Sequence, residues 1–226
     1  MANGKEEIKI IREDSEVVAI NKPAGLEMQE VMRWASSVLK IQDGTNKEFE
    51  ERRGVAHRLD RETSGCLLIA KTAESLKNLM DQFRRRKIKK EYLALVHGRM
   101  EPVRGIIRLP LRRSKSNRLK REVRYDGKMA ETEWLVISYY GDYTLVRLKP
   151  RTGRTHQLRV HLSHLGYPIF ADEKYLRKDQ SYLDRQKLKH HFLHAEKISY
   201  KSLSGGQIEC QVDLSDDEKK LLMMLE

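Results

Sequence analysis

Asp60 lies between Arg58 and Arg61 in the stretch "GVAHRLDRETSG", residues 54–65, just ahead of the apolar run "CLLIAK". A free aspartate has a pKa of roughly 3.9, and neighbouring arginines lower it further, so this carboxylate is expected to be ionised at neutral pH. Such a group is a poor general acid and suits a nucleophile or an electrostatic stabiliser. The competing reading is a solvated loop with an incidental salt bridge, which contributes little if exposed. Taken alone, the residues leave both open. Glu62 does not make a glycosidase pair with Asp60, because acid and nucleophile must flank one bond from different directions. His190, His191 and His194 have no cysteine or carboxylate at supporting spacing, and no metal is expected there. The two cysteines, Cys66 and Cys210, form no C-x-x-C motif, which argues against a zinc deaminase. Neither G-x-x-x-x-G-K-[ST] nor G-x-G-x-x-G occurs, so no nucleotide cofactor is expected.

The 226 residues carry a formal charge of +12, which points to an anionic partner, nucleic acid first. The positive charge gathers in "RRRKIKK" (84–90) and in the basic part of "RRSKSNRLKREVRYDGK" (112–121). Arg84, Arg85, Arg86, Lys115 and Arg118 are therefore the candidate phosphate contacts. Hydrophobic residues make up 39%, enough for a folded core. Both cysteines sit in strand-like patterns, which fits a reducing compartment. The N-terminus is charged from the start, and no apolar run is long enough to cross a bilayer. A cytoplasmic, monomeric protein without membrane attachment is expected.

The elements that would position Asp60 follow from periodicity. "IKIIRED" and "VVAINKPAG" read as short strands, the second closed by a Pro-Ala-Gly turn. Val31, Trp34, Ala35, Val38 and Leu39 make one apolar helical stripe. "QDGTNKEFEERRG" reads as a mobile loop. "CLLIAK" reads as a buried strand. Thr72 should cap a helix lined by Leu76, Leu79, Met80 and Phe83. "EYLALVHG" is a strand, and residues 104–149 should hold antiparallel strands with turns at Asp126-Gly127 and Gly141-Asp142. In "RTGRTHQLRVHLSHLG", Thr155 should cap and Gly166 should end a helix. Leu158, Leu162 and Leu165 would form its buried stripe, with His156, Arg159 and Ser163 on a more exposed face. A polar region at 172–190, two strands and a short acidic helix complete the chain. The pattern is a mixed chain of helices and antiparallel strands, with no internal repeat and one domain over residues 1–226.

"HRLDRETSG", "KKEYLALVHG" and "RTGRTHQLRVHLSHLGYPIFAD", in this order, resemble the successive motifs of the RluA-type pseudouridine synthases. "VVAINKPAG", "GKMAETEW" and "FLHAEKISY" fit the same series, so the resemblance runs from about residue 14 to 200. It implies an α+β fold with a mixed, largely antiparallel central sheet flanked by helices and loops. It also implies isomerisation of uridine to pseudouridine in ribosomal or transfer RNA without metal or organic cofactor. Asp60 then matches the catalytic aspartate, and Tyr92 the tyrosine that packs on the target base and takes part in proton transfer. Arg159 matches the basic residue that pairs with the aspartate. Arg58 matches the side chain that enters the RNA stack when the base leaves; Arg61, beside it, carries no such match and is expected only to touch phosphate. Only about a dozen residues precede the first strand, so an N-terminal S4-type RNA-binding domain is expected to be absent. Base flipping costs a few kcal/mol, and stacking on Tyr92 would return roughly 1–3 kcal/mol. The alternatives from other classes are an RNA-binding or ribosome-assembly factor with an idle site, and an RNA hydrolase, for which no water-activating group stands out.

Overall fold

A computed structural model describes residues 7–39 and 46–226. In chain order the elements are β1 (Lys9–Glu13), β2 (Val17–Lys22), α1 (Met28–Val38), α2 (Lys47–Arg52), β3 (Ser64–Ala70) and α3 (Ala73–Arg84). They continue with β4 (Lys89–His97), β5 (Arg104–Arg113), β6 (Arg121–Val123), β7 (Lys128–Tyr140) and β8 (Tyr143–Pro150). The last are α4 (Gln157–His164), α5 (Lys178–Lys187), β9 (Leu193–Lys201), β10 (Gln207–Gln211) and α6 (Asp216–Leu225). The chain is α+β, and its strands pair mostly antiparallel. The residues gather into two compact units, 1–89 with 195–213 and 90–194 with 214–226.

In the first unit the strands run β1-β2-β3-β9-β10. All seven residues of β3 are buried, as the unbroken apolar run in the sequence requires. Leu68 and Ala70 of β3 join Val17 and Ala19 of β2 and Leu76 and Leu79 of α3 in one core. Full burial of each large aliphatic contributes about 1.5–3 kcal/mol. The Thr72 hydroxyl accepts the Ser75 amide at 3.1 Å, so the expected cap of α3 is present. Gly65, the second residue of β3, has φ +108°, and a Cβ there would fall on the Ala195 main chain of β9. Only glycine lets the two strands come this close.

Two expectations in this unit need correction. Residues 40–45 lie outside the described residues, but 47–52 form helix α2 rather than a loop. Asn46 caps it by accepting the Phe49 amide at 3.0 Å, and Phe49 is buried in the core. Val38 leaves the apolar stripe of α1 and is 54% exposed, since the helix ends there and Leu39 takes the buried place.

In the second unit β4-β8-β7-β5-β6 are antiparallel neighbours. The β7–β8 hairpin turns at Gly141-Asp142 as expected. Val146 and Leu148 of β8 point into the core, and Arg147 and Lys149 point away from it. Helix α4 lays Leu158 and Leu162 against Ala94, Val146 and Leu148. Its cap is His156 at φ 56°, whose side chain makes no bond to the helix's own first-turn amides, rather than Thr155. Gly166, at φ +87°, follows its C-terminal end. The polar region at 172–190 contains α5, which sequence periodicity did not reveal.

Candidate active site

The segment leading to β3 alternates between solvent and core. Arg58 and Arg61 are exposed, Leu59 is buried and Asp60 is half-buried. The main chain around Asp60 is held at several points. The Thr63 amide donates to the Asp60 carbonyl at 3.1 Å, and the Gly25 amide donates to the Arg61 carbonyl at 2.9 Å. His57 Nε2 accepts the Leu68 amide of β3 at 3.0 Å, and its ring lies 4.7 Å from that of Phe83. An imidazole accepting at Nε2 is neutral and carries its proton on Nδ1.

Below this loop lies Lys22, fully buried at the end of β2. Its Nζ donates to the carbonyls of Pro23 (2.8 Å), Leu26 (3.0 Å) and Arg61 (3.0 Å). Burial lowers its pKa from 10.5 to about 8, against the opposing fields of the Asp60 and Glu30 carboxylates. The ammonium therefore ties the "NKPAG" turn to the residue following Asp60 and lies in the field of the Asp60 charge. Lys22→Met would leave three carbonyls without this donor and should cost about 2–4 kcal/mol in urea denaturation. An unchanged midpoint and slope would show that the tie does not hold the loop.

Tyr92 is half-buried on β4, in register with Leu148, and packs on the cluster formed by Val146, Leu148, Leu158 and Leu162. Its neighbour Glu91 has the opposite orientation and pairs with Lys149 at 2.9 Å and Arg147 at 3.5 Å. Strand alternation thus separates the aromatic from an ionic row.

Arg159 contradicts the expectation of an exposed helix face, being 4% exposed. Burial is tolerable because Asp172 meets it side-on: Nε and Nη2 donate to the two carboxylate oxygens, both at 2.7 Å. The Asp172 side chain is fully buried and also accepts the amides of Lys174 (2.9 Å) and Tyr175 (3.2 Å). Burial pushes its pKa up, but the Arg159 bonds and charge, with smaller help from His191 and the Lys174 amide, bring it down from 3.8 to about 2. Below the guanidinium lies the Tyr175 ring, 5.2 Å from it. Gln157, two residues before Arg159, bonds Thr132 Oγ1 (3.0 Å) and the Glu131 carbonyl (2.9 Å), fixing α4 to β7.

The basic candidates divide between surface segments. Arg84, Arg85 and Arg86 are exposed at the end of α3, Arg84 paired with Asp81 at 2.7 Å. Lys115 and Arg118 are exposed on the loop joining β5 to β6, where the Arg118 carbonyl accepts Arg113 Nε at 2.7 Å. Arg61 also reaches Glu62 at 3.5 Å. Among the described residues no group of three or more His, Cys, Asp or Glu side chains is arranged to hold a metal ion, and no helix is long and apolar enough to cross a membrane.

Sequence reading missed Lys22, Asp172 and Tyr175 as individual residues, although "NKPAG" and "FAD" stood in the resembling motifs. A lysine ending an apolar strand and an aspartate after "PIFA" were the available signals.

The family model for RNA pseudouridylate synthase matches residues 16–164. Over 184 residues the chain is 41% identical to ribosomal large subunit pseudouridine synthase D of Borreliella burgdorferi, covering 77% of this chain and 56% of that one. It is 35% identical over 225 residues to ribosomal large subunit pseudouridine synthase C of Haemophilus influenzae, covering 97% and 69%. The chain thus spans little more than half the length of the Borreliella relative. The structure resembles human RNA pseudouridylate synthase domain containing 1 at a TM-score of 0.76 and 25% identity, covering 94% of this chain and 86% of that one. With the family motifs present from the "NKPAG" turn to "FAD" on a matching fold, the chain belongs to the RNA pseudouridylate synthase family.

Proposed function

We propose that this chain converts uridine in RNA to pseudouridine, with Asp60 as its nucleophile. The observation that carries the reading is the Asp60 loop: a half-buried carboxylate on a main chain held from β2 and the "NKPAG" turn, flanked by two exposed arginines. In the isomerisation the N1–C1′ bond breaks, the uracil rotates, and a C5–C1′ bond forms. The proton on C5 leaves and N1 gains one. No electrons are exchanged with an outside partner, so the reaction needs no redox cofactor. Asp60 acts while the glycosidic bond is broken, either on the ribose carbon or by deprotonating the sugar to a glycal. Tyr92 lies against the displaced uracil and serves the proton transfer from C5. Arg159, held by Asp172, supplies the positive charge that orients the catalytic carboxylate. Arg58 fills the space the base leaves, and Arg61 contacts phosphate.

The exposed cations at Arg84, Arg85, Arg86, Lys115 and Arg118 hold the RNA backbone. The names of the bacterial relatives favour large-subunit ribosomal RNA over transfer RNA as substrate. We place the protein in the cytoplasm as a monomer, its two units working as a single catalytic domain.

Tritium release from C5-labelled uridine in a large-subunit ribosomal transcript tests the activity. Release with the RNA chain intact is expected. Strand scission would point to a hydrolase, and binding without release to an assembly factor. Tyr92→Phe should bind the transcript within about twofold of wild type yet turn over about 10²-fold more slowly, the size of a lost proton-transfer group. Unaltered turnover would remove Tyr92 from the proton path. Comparing pseudouridine maps of ribosomal RNA with and without the gene identifies the target position.

A further inference from the structure

We propose that Tyr175 is a positioning residue with two separable roles: its hydroxyl fastens the basic β5–β6 arm that holds RNA, and its ring holds the guanidinium of the Arg159–Asp172 pair in orientation. The inference rests on the RNA-modifying reading above, and it concerns the second unit alone. From residue 112 to 128 the chain carries eight lysines and arginines against two acids. The arm is an ordered element. The Ser114 amide donates to the Lys120 carbonyl (3.1 Å), the Lys120 amide to that of Asn117 (2.9 Å), and Arg113 Nε to that of Arg118. Arg112 is neutralised by Glu122 (2.9 Å) and Asp126 (2.6 Å), which braces the base of the arm and leaves Lys115 and Arg118 exposed at its tip.

Tyr175 joins this arm to the buried pair through two different parts of its side chain. Its hydroxyl accepts the Arg121 amide of β6 at 2.7 Å and bonds His156 Nδ1 at 2.7 Å, the residue capping α4. Its ring faces the Arg159 guanidinium at 5.2 Å and the Lys120 ammonium at 5.9 Å. Its own main chain is held from below: its amide donates to Asp172, and its carbonyl accepts Ser163 Oγ at 3.1 Å. A tyrosine that only filled the core among Leu111, Ala130 and Val160 would have no use for these polar ties. The hydroxyl serves the arm and the ring serves Arg159. The two functions should therefore separate on substitution.

The experiment uses the full chain and a C5-tritiated transcript of large-subunit ribosomal RNA. Filter binding gives Kd, and tritium release at saturating RNA gives kcat. Tyr175→Phe keeps the ring and loses the hydroxyl. It should weaken binding about three- to tenfold, the effect of one or two lost hydrogen bonds, while kcat falls less than about twofold. Tyr175→Leu should show the same binding loss and lower kcat by at least about tenfold. In a chain already carrying Lys115→Gln and Arg118→Gln, Tyr175→Phe should add little further to Kd, because the arm it steadies no longer holds phosphate. Unchanged Kd for Tyr175→Phe overturns the proposal, as does a kcat loss equal to that of Tyr175→Leu. If Tyr175→Leu does not fold, Kd for Tyr175→Phe and its non-additivity with the arm variant decide alone. Absence of tritium release from the wild-type chain would refute the synthase reading instead, and the binding arms still judge Tyr175.

Discussion

Asp60→Asn should abolish pseudouridine formation, lowering single-turnover conversion by at least about 10⁴-fold, or more than 5 kcal/mol of transition-state stabilisation. Asparagine has nearly the same shape, and the main-chain bonds at Asp60 and Arg61, with the tie from Lys22 to the Arg61 carbonyl, do not involve the carboxylate. The fold should therefore survive, and RNA affinity should stay within a few-fold of wild type. The substitution has a second signature. The Asp60 carboxylate favours the charged form of Lys22, whose pKa is already lowered by burial to about 8. Removing that carboxylate should lower the Lys22 pKa further, which NMR of the lysine side chain would detect. Sustained tritium release by a folded Asp60→Asn protein would overturn the nucleophile assignment.

Those parts of the molecule whose residues interact locally could be read from sequence. The continuous run of β3, the capped apolar stripe of α3, the β7–β8 turn and the alternation of Val146 and Leu148 with Arg147 and Lys149 each depend on neighbours a few residues away. Helix α2 escaped because it is six residues long with a single buried side chain, Phe49, so it has no period to detect. Arg159 was expected on an exposed face because helical spacing puts it beside the leucine stripe, with His156 and Ser163. Its partner, Asp172, lies thirteen residues on, in an irregular segment whose course periodicity does not reveal. Lys22 is satisfied by carbonyls, and carbonyls leave no mark on residue type. The motif resemblance reached Asp60, Tyr92 and Arg159 individually. It left unnamed Lys22, which bonds the Arg61 carbonyl, and Asp172, which bonds Arg159.

Asp172→Ala should be the most destabilising change in the second unit, at about 3–5 kcal/mol, because it strands a buried guanidinium. It should also lower turnover beyond the loss of folded protein, since Arg159 would no longer be fixed in orientation. The pH dependence of the wild type follows from the same pair. Asp172 titrates near 2 in the folded chain against an ordinary 3.8, so the folded state holds its charge where the unfolded state begins to bind a proton. The pair's contribution is complete above about pH 4 and disappears as pH falls through 2. It amounts to about 2 kcal/mol for a shift of this size. Urea denaturation between pH 5 and 2 should show that loss in the wild type and not in Asp172→Ala. Replacing both partners, Arg159→Met with Asp172→Leu, separates stability from function. Apolar side chains of similar volume can restore or exceed the stability of a buried ion pair, yet that double variant should stay inactive. A stable and active double variant would mean that Arg159 serves the fold alone. A stable and inactive one would place the charge of Arg159 in the reaction itself, with Asp172 as the residue that keeps it there.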